Sequence, residues 1–202
     1  MEEKAIEIIQ RSIPIFTRFG IKSVTMDDVA RELGISKKTL YKYFKDKNDL
    51  IVKGVQMKID ADEEQCGSVE CQNGNAIDEL FAISEFVVQN LSNINPSVIF
   101  ELKKYHPEAF EILNKHKWEF VLKTIRKNIN RGIEEGIYRD NMDPEIIARL
   151  YVGSTDLIME GSIYPWPEFK VDKVYLEILR FQVRGLANKK GIEYLTNKLN
   201  NL

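Results

Sequence analysis

The 202-residue sequence predicts an all-α protein with a small N-terminal helical domain and a larger C-terminal one. Apolar residues recur at three- and four-residue spacing along most of the chain, which is typical of the buried faces of amphipathic helices. The strict alternation that predicts half-buried strands is absent from the sequence. Polar stretches with Gly, Asn or Pro, such as residues 72–75 and 93–96, separate the helical segments.

The same patterns predict the domain organisation. Residues 1–50 form the N-terminal domain, a linking helix covers residues 46–66, and residues 67–202 form the C-terminal domain, with the boundary in the polar stretch around residues 72–75. The first helix covers residues 2–19 and ends at Gly20. Pro14 lies inside it and predicts a kink or a local break near residues 10–13, because proline removes one backbone hydrogen bond.

Two short helices joined by a glycine turn follow the first helix. Thr25 is a favourable N-cap, and Asp28 stands at the capping-box position three residues later. Gly34 can adopt the left-handed conformation that ends a helix, and Ser36 then caps the next one. Asp46 caps a third, longer helix. Two short helices with a glycine-containing turn are the helix-turn-helix arrangement.

The second helix of this motif carries a polar outer surface. Leu40 and Phe44, four residues apart, mark its buried face. Its other faces carry side chains that can bond base edges or phosphates: Lys38, Thr39, Tyr41 and Lys42. The pattern therefore favours a helix that lies in the major groove of DNA. The alternative is a solvated helical hairpin within an all-helical protein that does not bind DNA.

The distribution of charge agrees with local phosphate binding. The whole chain has 29 basic and 31 acidic residues, a net charge of −2. Residues 31–58 carry eight basic and three acidic side chains, a net charge of +5, so the remainder carries −7. A basic patch on an acidic body favours binding to one stretch of nucleic acid over unspecific attraction to polyanions.

One set of residues between positions 5 and 50 agrees in both type and spacing with a known pattern. The set comprises Gly20, Thr25, Ala30, Gly34, Ile35, Ser36, Thr39, Leu40, Tyr41, Tyr43, Phe44, Lys47 and Leu50. Together these residues resemble the DNA-binding domain of the TetR family of bacterial transcriptional regulators. Lys38 and Asn48 depart from the pattern, which often has a small residue or Pro and a Glu at these positions, and Lys38 is expected to alter the bases read. Downstream the likeness is mostly architectural.

The motif and the resemblance together predict the residues that bind DNA. Those expected to approach bases in the major groove are Lys37, Lys38, Thr39 and Lys42. Those expected to hold phosphates are Thr25, Tyr41, Tyr43 and Lys47, with Ser36 completing the set at the start of the helix.

A homodimer on a pseudo-palindromic operator is also expected. A single recognition helix reads few bases, and two half-sites about 34–36 Å apart require a two-fold dimer. The resemblance implies a four-helix bundle between two copies, built by the helices near residues 143–161 and 171–187. The predicted interface residues are Leu150, Gly153, Ser154, Leu157, Tyr175, Ile178, Leu179 and Gln182. The alternative is that these helices are the interior of a monomer.

The resemblance further implies a site for a small ligand in the C-terminal domain. The predicted lining residues are Phe81, Phe86, Phe100, Tyr105, Trp118, Tyr151, Met159 and Glu160. Such residues can equally form an ordinary core. The expected ligand is a small apolar or amphipathic molecule, and the sequence does not choose between a cationic drug, a fatty acyl group and other apolar ligands.

Other chemistry finds little support. The chain has two histidines, neither beside a nucleophile motif, and neither a G-x-S-x-G sequence nor a phosphate-binding glycine loop. Cys66 and Cys71 are interpreted as inert thiols, since tight zinc sites usually space cysteines more closely. We therefore expect neither an enzyme, nor a metal, nor a cofactor.

The sequence predicts a cytoplasmic protein with no membrane partner, because it has neither a signal peptide nor a long apolar run and few cysteines. The predicted function is a sequence-specific transcriptional regulator, namely a repressor that a small ligand releases from its operator. The alternatives are an activator or an inducer-independent regulator of the same fold, and a helical interaction protein that does not bind DNA.

Overall fold

The computed structural model describes residues 1–69, 74–91, 94–95, 97–159, 163–165 and 167–200. The side chains of residues 66–69, 91 and 159 lie outside this description. Within the described ranges the regular structure is helical, apart from one isolated bridge between Tyr138 and Ala187. The predicted all-α fold class is confirmed.

The helices follow one another through the whole described chain. They are α1 (Glu3–Phe19), α2 (Met26–Leu33), α3 (Lys37–Tyr43), α4 (Lys47–Val69), α5 (Ala76–Leu91), α6 (Ser97–Tyr105), α7 (Pro107–His116), a π-helical segment (Lys117–Val121), α8 (Leu122–Glu134), α9 (Pro144–Met159), α10 (Val171–Leu186) and α11 (Lys189–Asn200).

The chain divides into two compact units. The first unit comprises Met1–Asp62 and Asn93–Lys115, and the second comprises Glu63–Ser92 and His116–Leu202. The sequence had assigned all of residues 67–202 to one C-terminal domain, whereas α6 and most of α7 group with the N-terminal helices. The reason is that apolar side chains of α6 and α7, such as Leu102, are buried in the same cluster as the helix-turn-helix core.

The local signals of the helix-turn-helix appear in the structure as predicted. The Thr25 hydroxyl accepts a hydrogen bond from the backbone N–H of Asp28, whose carboxylate accepts one from the Thr25 N–H, so the capping box is complete. Gly34 has φ 67° and ψ 30°, the left-handed conformation that ends α2. The Ser36 hydroxyl caps α3, and the Asp46 carboxylate accepts a hydrogen bond of 2.9 Å from the backbone N–H at the third residue of α4.

Two helical stretches bear on continuity. α1 is helical from Glu3 through Pro14 to Phe19, so of the kink or local break predicted near residues 10–13 the break does not occur. The helical stretch from Pro107 to Glu134 is not α-helical throughout, because the π-helical segment Lys117–Val121 lies between α7 and α8. The rings of His116 and Phe120 stack there with their centroids 5.2 Å apart.

The core of the second unit combines apolar packing with a buried polar network. α5, α8, α9 and α10 pack on one another around Leu80, Ile129 and Leu179. The side-chain amide of Asn128, 1% exposed, donates to the carbonyl oxygen of Ala76 at 2.8 Å and accepts from the hydroxyl of Tyr138 at 3.3 Å. These bonds satisfy polar groups that would otherwise be costly to bury.

No helix within the described residues is long and apolar enough to span a lipid bilayer.

Candidate nucleic-acid interface

The helix-turn-helix holds α3 by one face and exposes the other. Leu40 is fully buried, and Phe44 just after the helix is 1% exposed, so the inner face of α3 is fixed to the core. Lys37, Lys38 and Lys42 are exposed, and Tyr41 is 50% exposed. The predicted DNA-contacting face of α3 is therefore at the surface.

Two of the residues expected to read bases already have partners within the chain. The hydroxyl oxygens of Ser36 and Thr39 lie 2.8 Å apart, and the Ser36 hydroxyl also accepts a hydrogen bond of 3.0 Å from the Thr39 N–H. Lys37 forms an ion pair with Asp27 of α2. Among the residues that the structure describes, no carboxylate lies within ion-pair distance of Lys38 or Lys42. These two lysines are the better placed to neutralise phosphates or bind guanine.

The residues expected to hold phosphates differ in accessibility. Thr25 is exposed at the start of α2, but its hydroxyl also bonds the carboxylate of Asp28. This hydrogen bond is the main reason why the pKa of Asp28 lies below its ordinary value. Tyr43 is half-buried, and the ammonium of Lys42 lies 5.1 Å from its ring centroid.

Lys47 lies at the start of α4 and is half-buried. Its ammonium donates a hydrogen bond to the carbonyl oxygen of Ile21 and lies 5.9 Å from the ring centroid of Phe16. Burial lowers its pKa, while the charges of Glu101 and Asp28 act in the opposite direction. Lys47 thus fixes the loop before α2 in addition to carrying a positive charge.

A second group of basic and aromatic side chains lies beside this loop and was not predicted from the sequence. The ammonium groups of Lys22 and Lys104 lie 5.4 and 5.3 Å from the ring centroid of Tyr105, at the end of α6. Although burial alone would raise it, hydrogen bonds from Lys104 and Lys22 bring the pKa of Tyr105 below its ordinary value. All three side chains are exposed. The sequence could not indicate this group, because Lys22 and Tyr105 are far apart in the chain and only the tertiary fold brings them together.

Polar contacts attach α6 and α7 to the helix-turn-helix within the first unit. The Glu101 carboxylate accepts a hydrogen bond of 2.8 Å from the backbone N–H of Lys22. The Nδ1 atom of His106 lies 2.9 Å from the side-chain oxygen of Asn48 on α4. Burial and then the charge of Lys47 lower the pKa of His106. These contacts make α6 part of the scaffold that supports the DNA-binding surface.

The residues predicted for a dimer interface fall into three groups. Leu150 and Leu157 are 67% and 40% exposed, and Gly153 faces open space. The partly buried members are Ser154, Ile178 and Gln182. Tyr175 and Leu179 are only 6% and 1% exposed and pack inside their own protomer, so they are not available to a partner.

The exposed apolar face of α9 and α10 also includes residues that the sequence did not indicate. Ile146 is 64% exposed and precedes Leu150 by one helical turn. Phe181 on α10 is 80% exposed, and Gly185, one turn later, faces open space. A spacing of 146, 150, 153 and 157 along α9 is a continuous helical stripe, which could have been recognised from the sequence.

The residues predicted to line a ligand pocket do not share one environment. Phe81 and Tyr151 are buried in the core of the second unit, and Trp118 packs partly buried against it. Phe86 is half-buried, also in the second unit. Phe100 and Tyr105 are 60% and 42% exposed on the first unit, so they do not enclose a ligand. The side chain of Met159 and all of Glu160 lie outside the described residues, as do the side chain of Cys66 and all of Cys71.

The first unit contains an apolar cavity of about 150 Å³ that the sequence did not predict. Side chains of α1, α4, α6 and α7 line it, among them Ile9, Phe16, Ile51, Val98 and Leu113. The sequence signal was misleading here because these residues have the spacing of ordinary core positions.

Comparisons with known proteins agree with this geometry. A family model of bacterial regulatory proteins of the tetR family matches residues 8–53. YhgD of Bacillus subtilis (strain 168), an HTH-type transcriptional regulator, is 30% identical over 156 residues, which are 72% of this chain and 78% of the relative. KstR2 of Mycobacterium tuberculosis, an HTH-type transcriptional repressor, is 20% identical over 193 residues, which are 92% and 94% of the two chains.

A solved structure shares the whole architecture. The crystal structure of a transcriptional regulator from Saccharomonospora viridis in complex with choline superposes with a TM-score of 0.78 over 94% of this chain and all of that one, at 17% sequence identity. At this identity the likeness concerns the fold.

The helical fold, the N-terminal helix-turn-helix and these relatives define the protein as an HTH-type transcriptional regulator. Within that class, the chain belongs to the TetR family. The family resemblance of residues 5–50 is confirmed.

Proposed function

We propose that the protein is a homodimeric repressor that binds a pseudo-palindromic operator and releases it when a small ligand binds. The observation that carries the proposal is the surface of α3, where Lys38, Tyr41 and Lys42 are exposed while Leu40 anchors the helix. An exposed polar face on a rigidly held short helix is what major-groove recognition requires.

The roles follow from side-chain chemistry and contacts. Lys38 and Lys42 bind guanine edges or phosphates, since no described carboxylate competes for them. Thr39 reads a base edge, with its hydroxyl oriented by Ser36. Lys37 also contacts the DNA once its ion pair with Asp27 is broken.

Phosphates of the same half-site are held by exposed and half-buried groups around α3. Thr25, Tyr41 and Tyr43 donate from their hydroxyl groups, and Lys47 contributes charge near the start of α4. Lys22 and Lys104 extend this surface along the DNA backbone. They adjoin the motif because Lys47 bonds the carbonyl oxygen of Ile21, the residue next to Lys22.

Dimerisation through α9 and α10 is supported by the exposed apolar stripe. Ile146, Leu150 and Phe181 are each more than 60% exposed, an unusual density of large apolar side chains on a surface. Gly153 and Gly185 face open space, so the helices of a second copy can approach the backbone closely. A two-fold pair would present two α3 helices to successive major grooves.

Repression is favoured over activation because the relative KstR2 is a repressor. The regulator from S. viridis binds choline, but a quaternary ammonium ligand is not favoured here. Such cations are held by several aromatic faces, whereas Phe16 is the one aromatic side chain among the described residues that line the apolar cavity. An uncharged ligand fits better.

Gel-shift titration against the DNA that flanks the protein's own gene tests the proposal. We expect a shifted complex whose affinity falls steeply with salt, because lysines displace counterions from phosphates. Failure to bind any flanking DNA at low salt would favour a helical interaction protein. A promoter fusion, assayed with and without the protein, then separates a repressor from an activator.

A further inference from the structure

We propose that the apolar cavity of the first unit is the effector site, and that it takes one uncharged apolar molecule of about the size of a benzene ring. The inference rests on the proposed ligand-responsive function and names both the site and the class of ligand. It differs from the expectation of a pocket among the aromatic residues of the C-terminal half.

The volume of the cavity defines the size of the ligand. The cavity measures about 150 Å³ and is lined mainly by Ile, Leu and Val side chains. An apolar cavity of this volume in another protein stays dry and binds benzene. A single ring or a short alkyl group fits this volume completely, whereas most of a long acyl chain or a large drug would have to remain outside it.

The two hydroxyl groups of the described lining already donate their hydrogen bonds within α1. The Ser12 hydroxyl donates to the carbonyl oxygen of Ile8 at 2.7 Å, and the Thr17 hydroxyl donates to that of Pro14 at 3.2 Å. A ligand group that only accepts hydrogen bonds would lose its water here without gaining a hydroxyl donor. The lining therefore selects against ligands that need a hydrogen-bond donor.

The charge of the lining disfavours ions. No carboxylate is among the described lining residues and Phe16 is the one aromatic ring, so a cation finds no suitable partner. Lys58 is the only ionisable side chain among these residues, and an anion would have to compete for it with Asp62, its ion-pair partner one turn further along α4.

The walls of the cavity support the DNA-binding surface. Ile9 and Phe16 of α1 and Leu50 of α4 belong to the same apolar cluster as Leu40, which holds α3. Phe16 also lies under the ammonium of Lys47. A molecule in the cavity therefore contacts the residues on which α3 and the start of α4 rest.

The opposite wall is formed by α6 and α7, so occupancy can change how these helices pack on α1 and α4. A ligand shifts the protein away from its DNA-binding conformation only if it binds the two conformations unequally. Ligand and DNA must then weaken one another's binding by the same factor.

Binding is tested by titrating the full chain with benzene and following the Ile, Leu and Val methyl signals by NMR. We expect saturable shifts in methyl groups of the lining, such as those of Ile13 and Val55. Pyridine, which has the shape of benzene but a nitrogen that only accepts hydrogen bonds, should bind about tenfold or more weakly, because the lining hydroxyls already donate elsewhere. Tetramethylammonium should not bind.

Two variants locate the bound molecule. Val55→Phe fills the cavity and should abolish benzene binding. Gly54→Ala should keep the fold, because its added Cβ would lie 3.7 Å from Ile9 Cγ2 and Ile13 Cγ1, an ordinary contact distance. It should weaken binding by on the order of threefold, since a methyl group takes part of the cavity volume.

Gln56→Ala is the matched control, because it also places alanine within α4, two residues from Gly54, but at an exposed position that does not line the cavity. Its benzene affinity should equal that of the wild type. If benzene does not bind saturably to the wild type, the proposal is wrong. It is also wrong if both cavity variants bind benzene as tightly as the wild type does. Should Val55→Phe fail to fold, Gly54→Ala decides the question alone.

A DNA-binding titration completes the test. Saturating benzene should lower the operator affinity of the wild type by on the order of fivefold or more and leave that of Val55→Phe unchanged. If benzene fills the cavity but the operator affinity does not change, the cavity is not the effector site. An absence of DNA binding even without benzene overturns the proposed function itself, and the NMR titration distinguishes the two failures.

Discussion

Lys37 at the start of α3 forms an ion pair with Asp27 of α2, with Nζ and Oδ2 2.5 Å apart. Both side chains are largely exposed, so the pair contributes little to stability. It does hold a lysine of the proposed recognition helix against a carboxylate. DNA must compete with Asp27 for this lysine.

We predict that Asp27→Asn binds DNA more tightly. The change releases Lys37 for the phosphates and removes a nearby negative charge, so the slope of log affinity against log salt should become steeper by up to about 0.9. Fluorescence anisotropy at several salt concentrations measures this slope. Glu32→Gln, which removes another exposed charge from α2, is the control. Equal slopes for both variants would mean that Lys37 does not contact DNA.

The extent to which the sequence predicted the structure depends on the range of each interaction. The caps at Thr25 and Ser36 and the turn at Gly34 were predicted correctly, because they depend on residues a few positions apart. The pairing of Lys22 and Lys104 with Tyr105 was missed, because it depends on how α6 packs on the first unit.

Helical periodicity also shows which side chains share the apolar face of a helix, but not whether other parts of the protein cover them. Tyr175 and Phe181 both follow the apolar pattern of α10, yet one is 6% and the other 80% exposed. The pattern likewise gave α6 and α7 as helices without indicating that they join the N-terminal unit. The π-helical segment Lys117–Val121 breaks no visible sequence pattern, and nothing in the structure explains it.

Lys47 is expected to serve both stability and DNA binding. Lys47→Ala removes the hydrogen bond to the Ile21 carbonyl oxygen, so the free energy of unfolding should fall by on the order of 1 kcal/mol. It should also weaken binding to all DNA sequences alike and flatten the salt slope. Denaturant unfolding and salt titrations measure the two effects.

Lys38→Ala is the comparison for Lys47, because the Lys38 side chain is exposed. It should weaken DNA binding with little change in stability. Thr39→Ala should instead relax the sequence preference. A Lys47→Ala protein that lost specificity while keeping its salt dependence would show that its role is wrongly assigned.

The proposed backbone contact at the end of α6 is tested by two adjacent lysines. Lys104→Ala should flatten the salt slope by about 0.9, because Lys104 lies with Lys22 at Tyr105 beside the motif. Lys103→Ala removes the same charge from the neighbouring position, where the ammonium lies over the ring of Phe110 instead. The two variants should therefore differ. If they flatten the slope equally, the effect is one of overall charge.

The exposed stripe on α9 and α10 predicts how the dimer can be broken. Phe181→Glu places a charge within the proposed interface and should convert the dimer to a monomer, as measured by sedimentation. DNA affinity should fall with it, since two half-sites can no longer be bound together. Phe100→Glu, at a residue 60% exposed on the first unit, is the control and should leave the dimer intact.

Stability towards acid should depend on His106. Its pKa in the folded protein lies below the ordinary 6.5, because burial and the charge of Lys47 disfavour the protonated form, although Glu101 and Asp46 act against them. Between the folded pKa and 6.5 the unfolded chain therefore binds more protons than the folded one. The stability contributed by neutral His106 is thus complete above pH 6.5 and is lost as the pH falls through this window.

His106→Gln removes the titrating group and keeps an amide that can donate to the side-chain oxygen of Asn48. We expect the free energy of unfolding of the wild type to fall more steeply than that of the variant when the pH is lowered from about 7.5 to 5. Denaturant titrations at several pH values give the free energy of unfolding of both proteins as a function of pH. In the difference between the two curves, the contributions of the acidic residues that both proteins share cancel. A difference that does not change with pH would show that protonation of His106 is not coupled to the packing of α6 and α7.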